Sequence, residues 1–199
     1  KSKIPNNNLT LSLNGGRQLG FAEYGDPGGR PIFFFHGMGI GSRLDAHYLH
    51  RAALLNHYRL ISIDRPGIGL SSIDKNRTIL SWANDVEEFA DLLNIKKFSI
   101  IGHSGGALFT AACAYKLPNR LTGVAIVSGV APFEIFEDSL FRGQRFLNKA
   151  INTMPWVATL MMKIMFIMSK RPGMLKYIMK QLPEVDQLAI RSQYCDKEL

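Results

Sequence analysis

Residues 102–106, Gly-His-Ser-Gly-Gly, constrain this chain more than any other stretch of its sequence. They follow an apolar run beginning at Phe98 that reads as a buried strand, and they precede Ala107–Tyr115, which reads as a helix. A Gly-x-Ser-x-Gly turn between strand and helix holds its serine in a strained backbone conformation with the hydroxyl exposed. The flanking glycines belong there because a Cβ would collide with the neighbouring strand or helix. Ser104 also stands at a helix N-terminus, where free N–H groups and the helix dipole favour a developing negative charge. Such a turn suits attack on a carbonyl.

The elements around it follow from periodicity. Leu9–Leu13 alternates apolar and polar residues and reads as a half-exposed strand. Asn14-Gly15-Gly16 is a hairpin turn, with Gln18–Tyr24 returning as the second strand. Ile32–Phe35 is a continuous apolar run that suits a strand buried on both faces, and Tyr58–Ile63 reads as another buried strand. Ser42–Leu55 reads as a helix capped by Ser42, and Thr78–Leu93 as a helix with Leu80, Trp82, Val86, Phe89, Ala90 and Leu93 on its apolar face. A further strand is expected at Gly123–Ser128. A leading hairpin followed by strand–helix units predicts an α/β fold with a mostly parallel sheet and right-handed crossovers. In such sheets ligands bind outside the carboxyl ends of the strands. Three distinctive loops fall there: His36–Gly39, Asp64–Gly69 and Gly102–Gly106.

Those three motifs, His36-Gly-Met-Gly39, Asp64-Arg-Pro-Gly-Ile-Gly-Leu-Ser71 and Gly102-His-Ser-Gly-Gly106, occur in order over residues 9–132, and in this the chain resembles the α/β-hydrolase fold family. The resemblance implies that Ser104 is the nucleophile and that the backbone N–H groups of Met38 and Gly105 form the oxyanion hole. Each such donor is typically worth about 3–4 kcal/mol in the transition state. The Met38 side chain would help shape an acyl pocket. His36 and His103 read as structural, and Asp64 as a brace for its own turn.

In this family the catalytic acid and then the histidine follow the serine. No histidine follows His103, and the strand–helix alternation stops near residue 132. The resemblance therefore implies an N-terminal fragment, with residues 1–132 forming part of the core, 133–199 a helical cap, and the C-terminal part of the core missing. The acid and the histidine are expected beyond Leu199, with Glu134 and Asp138 as second choices for the acid. The 199-residue chain alone is then expected to show little esterase turnover. The resulting reading is a serine hydrolase acting on esters or related acyl compounds through an acyl-enzyme. The alternatives are a C–C bond hydrolase, a peroxidase-like relative, or a non-catalytic binding or receptor protein on the same fold. Dehalogenase and epoxide hydrolase chemistry is disfavoured, because the nucleophile of those relatives is Asp.

Composition bears mainly on the last third. Between Asp138 and Glu184 lie eight Lys or Arg and no acid, so this segment carries the whole net charge of +8. Its basic residues are interleaved with Met and Leu, without a nucleic-acid-binding motif, which argues against nucleic acid as a partner. Pro155–Met168 is apolar almost all round but short of the roughly 20 residues that a membrane span needs. It reads first as a buried cap helix over the active site, its methionines lining a pocket for apolar acyl substrates. The second reading is a membrane-surface helix, and the third a homodimer patch. The basic flanks would also suit an anionic acyl thioester.

Two cysteines, Cys113 and Cys195, make no disulfide framework, and Cys113 falls inside an apolar helix as a buried thiol. With no apolar signal segment at the start, the expected location is cytoplasmic. His47 and His50 stand three apart on a helix without a third ligand and read as two exposed histidines. No metal and no cofactor are expected.

Overall fold

Asn14-Gly15-Gly16 turns the chain back on itself as its composition requires. Leu13 and Arg17 close the turn through the Leu13 N–H to the Arg17 carbonyl at 2.8 Å, and Gly16 takes a left-handed φ of 76°. The turn joins β1 (Asn6–Ser12) to β2 (Gln18–Gly25) in an antiparallel pair. The structure, a computed structural model, describes residues 6–38, 41–130 and 153–169, together with Gly173. The chain divides into two units, Lys1–Ala131 and Pro132–Leu199.

The first unit carries four more strands: β3 (Arg30–Phe35), β4 (Tyr58–Ile63), β5 (Phe98–His103) and β6 (Leu121–Val127). They form one sheet in the order β1-β2-β4-β3-β5-β6. β2 meets β4 antiparallel, while β4–β3, β3–β5 and β5–β6 are parallel. This is the mostly parallel α/β sheet that the alternation predicted.

Side chains alternate across β3, so Phe33 and Phe35 enter one core and Phe34 the other. On the first face Phe33 stacks on Phe98 at 4.4 Å between ring centroids, and Phe35 meets Trp82 edge-on at 5.5 Å. α2 (Ser81–Leu92) and α3 (Gly106–Lys116) cover this face with Trp82, Val86, Phe89 and Cys113. On the second face Phe34, Tyr24 and Leu60 pack with Ala46 and with Ala53 of α1 (His50–Leu55). Each fully buried phenylalanine contributes about 1.5–3 kcal/mol. β3, anchored by three buried phenylalanines, carries the His36–Met38 loop.

Helix boundaries differ from the sequence reading. Residues 43–49 form a 3-10 helix before α1 begins, and Ser42 caps it in a capping box with Asp45. Thr78 and Ser81 exchange side-chain-to-backbone hydrogen bonds at 2.8 and 2.9 Å, a reciprocal capping pair that forms the turn leading into α2, whose α-helical residues run from Ser81. Leu80 lies in that turn and is exposed, not on the apolar face of α2. In the second unit α4 (Pro155–Ser169) forms as a helix, but Trp156, Leu160, Ile164 and Ile167 are exposed side by side at helical spacing. Glu134 and Asp138 lie outside the described residues. Among the described residues no helix is long and apolar enough to cross a membrane.

Candidate functional site

Ser104 follows β5 directly and precedes α3, with its backbone at a left-handed φ of 51°. A non-glycine residue held in that region costs about 1–3 kcal/mol and persists only where its surroundings impose it. They do so here. The Ser104 N–H donates to the Val127 carbonyl of β6 at 2.9 Å, and its own carbonyl accepts from the Ala107 N–H at 3.0 Å. The glycines keep the crossing close: a Cβ on Gly102 would overlap Thr110 Oγ1, and one on Gly106 the Phe35 carbonyl oxygen. Ser104 Oγ makes no hydrogen bond to any described residue, and no described histidine serves as its partner.

The loop after β3 reaches this turn. A methyl group on Gly37 would stand 3.6 Å from Ser104 Cβ and 3.9 Å from Oγ. Met38 is 64% exposed, and its side chain lies across Gly105, where a Cβ would overlap Met38 Cγ. Neither the Met38 N–H nor the Gly105 N–H has a hydrogen-bond partner among the described residues. Ser104, Met38 and Gly105 thus meet at the carboxyl edge of β3 and β5. A cavity of about 240 Å³ opens beside Met38, lined also by Arg65, Ile68, Arg77, Thr78, Ile79 and Phe109.

His36 is fully buried and serves the backbone. Its Nε2 accepts the Arg65 N–H at 3.3 Å, which leaves the proton on Nδ1 to be donated to the Gly37 carbonyl at 2.9 Å. Burial and then the charge of Arg65 lower its pKa to about 4, so the ring is neutral near pH 7.

Asp64 braces its turn more widely than the sequence suggested. Its carboxylate accepts from the Leu70 N–H at 2.9 Å, and also from the backbone N–H and Nη1 of Arg43 at 2.6 and 2.9 Å.

Arg43 and Arg65 are the two residues of this region that sequence reading left without a role. Arg65 donates from Nη1 to the His36 carbonyl and from Nη2 to the Gly37 carbonyl at 2.7 Å. The available signal was a cation placed at the carboxyl end of a buried strand. His50 also differs from expectation: it is half-buried, and its Nδ1 accepts the Gly25 N–H at 3.0 Å. His47 is exposed. Among the described residues no group of three His, Cys, Asp or Glu side chains is arranged to hold a metal.

Comparison with known proteins agrees with this architecture. The family model of the alpha/beta hydrolase fold matches residues 30–161. Among curated proteins, the (E)-2-((N-methylformamido)methylene)succinate hydrolase of Acinetobacter baylyi is 30% identical over 61% of this chain and 45% of its own length. The haloalkane dehalogenase of Agrobacterium fabrum is 32% identical over 58% of this chain and 37% of its own. Among solved structures, a putative aryl esterase from Burkholderia cenocepacia superposes with a TM-score of 0.51 at 33% identity, covering 62% of this chain and 47% of that one. The matched region spans less than half the length of each of these relatives.

Proposed function

The chain belongs to the alpha/beta hydrolase fold family, and from that premise we propose that it carries the nucleophile and oxyanion hole of a serine hydrolase. The observation that carries this reading is the imposed φ of 51° at Ser104, between two glycines that admit no Cβ. Strain of this kind, held in place by the sheet, fits a residue kept for chemistry.

Ser104 Oγ attacks the carbonyl carbon of an ester or related acyl compound. Its proton passes to a histidine acting as general base, which residues 104–199 do not supply. The free N–H groups of Met38 and Gly105 receive the oxyanion. Collapse of the tetrahedral intermediate expels the alcohol, which takes the proton from the histidine, and leaves an acyl group on Ser104. Water, activated by the same histidine, then releases the acid and restores the serine hydroxyl.

The relatives support hydrolysis in general, while the halide chemistry named for one of them is not carried over. At the position of the elbow this chain has Ser104, whose hydroxyl is regenerated by deacylation. The cavity beside Met38 combines Ile68, Ile79 and Phe109 with two guanidinium groups, and its size fits a small acyl or leaving group. Residues 133–199 would act as a cap over such a site. Steady-state hydrolysis of p-nitrophenyl butyrate by the full-length gene product tests the reading. Ser104→Ala should lower kcat by at least about 10⁴-fold; an unchanged rate in that variant would refute it.

A further inference from the structure

We propose that Arg65 is a positioning residue for the oxyanion hole, setting the peptide between Gly37 and Met38 so that the Met38 N–H is held out as a donor. The proposal rests on the reading of Ser104 as the nucleophile.

Arg65 is only 6% exposed, yet no carboxylate pairs with it among the described residues. Its charge goes instead to backbone: Nη1 donates to the His36 carbonyl and Nη2 to the Gly37 carbonyl. Burying a cation is costly, and a buried cation is ordinarily paired with an anion. Charge-assisted hydrogen bonds to two consecutive carbonyls offset part of that cost, and they explain what the charge does.

The geometry follows from peptide planarity. In a trans peptide the carbonyl oxygen of one residue and the N–H of the next point in opposite directions in one plane, and the chain has no cis peptide among its described residues. The Gly37 carbonyl is held twice, by Arg65 Nη2 at 2.7 Å and by His36 Nδ1 at 2.9 Å. Holding that oxygen fixes the Met38 N–H on the opposite side. Were the plane to turn over, a carbonyl oxygen would stand where the donor belongs, and it would repel an oxyanion. Glycine at position 37 has no side chain to resist such a rotation, so the restraint comes from the side chains that hold its carbonyl, Arg65 from outside the loop and His36 within it.

Arg65 is itself well fixed. Its backbone N–H donates to His36 Nε2, and its guanidinium lies 4.8 Å from the Phe109 ring centroid on α3, the helix that Ser104 precedes. It therefore links the loops after β3 and β4 to the helix of the elbow. An arginine is required because the planar fork spans two carbonyls at once, which a lysine ammonium on its flexible stem does not reproduce.

The test compares Arg65→Lys and Arg65→Met with the parent in the full-length gene product, using p-nitrophenyl butyrate and the carbonyl ¹³C resonance of Gly37. The expected result is a fall in kcat of about 100-fold in Arg65→Met, with KM within about threefold, because only the transition state uses the displaced donor. Arg65→Lys, which keeps the charge and the fold, should recover only part of that rate. The Gly37 carbonyl resonance should move upfield in both variants. Parental kcat in either variant, or an unshifted Gly37 resonance, would overturn the proposal. If the parent itself shows no Ser104-dependent hydrolysis, the reading of Ser104 fails, and the Gly37 resonance still decides whether Arg65 orients this peptide.

Discussion

The Asp64 carboxylate holds Arg43 at two points, accepting its backbone N–H at 2.6 Å and its Nη1 at 2.9 Å, with both side chains buried. The same guanidinium continues to β1, donating to the Asn7 carbonyl and to Asn8 Oδ1 at 2.6 Å each. One ion pair thus ties the loop after β4 to the first turn after β3 and to the edge hairpin. Removing one partner of a buried pair leaves the other charge uncompensated, at a cost of about 3–5 kcal/mol. Arg43→Met is expected to lower stability by that amount in urea titration. Arg43→Met combined with Asp64→Leu should lose less than the two single changes added together.

His36 should give stability an acid limb. Its folded pKa of about 4 lies below the ordinary value near 6.5. Between those values the unfolded chain binds a proton that the folded chain refuses. The contribution is therefore complete above pH 6.5 and is lost as pH falls toward 4, amounting to at most about 3 kcal/mol. Urea midpoints measured from pH 7 to pH 4 should fall more steeply for the parent than for His36→Asn.

Gly106 and Gly15 form a contrasting pair. A Cβ at Gly106 would overlap the Phe35 carbonyl, a backbone atom of the central strand that has nowhere to move, whereas one at Gly15 meets nothing within 4 Å. Gly106→Ala is expected to cost more than about 2 kcal/mol, and Gly15→Ala to stay within about 0.5 kcal/mol of the parent. Thermal unfolding of the two variants distinguishes them.

Cys113 is fully buried, and burial pushes its thiol up to about 12. The thiolate is the reactive form. Alkylation of the Cys113 peptide by iodoacetamide at pH 8 should be slow in the native protein and rapid in urea, as read by mass spectrometry.

Strands were legible wherever burial is continuous. Tyr58–Ile63 was delimited correctly because Leu60, Ile61 and Ile63 put apolar residues on both faces of β4 and Asp64 ends the run. The start read at Thr78 falls on the capping turn of α2, three residues before its first α-helical residue, because a Thr and a Ser three apart cap a helix reciprocally. Ser104 stood out because strand, glycines and helix all demand the same turn there. Arg43 and Arg65 did not, because their partners lie 21 and 29 residues away. For Arg65 those partners are also main-chain carbonyls, which every residue has and no sequence pattern marks. The exposure of Trp156, Leu160 and Ile164 was equally hidden, since an apolar composition does not say what covers it.

The central claim is that Ser104 is an activated nucleophile. Intact-mass and peptide mass spectrometry of the full-length gene product after treatment with a fluorophosphonate tests it most directly. A single phosphonyl adduct on the peptide containing Ser104, absent from Ser104→Ala, is the predicted result. No adduct, or one carried by a different serine, would contradict it.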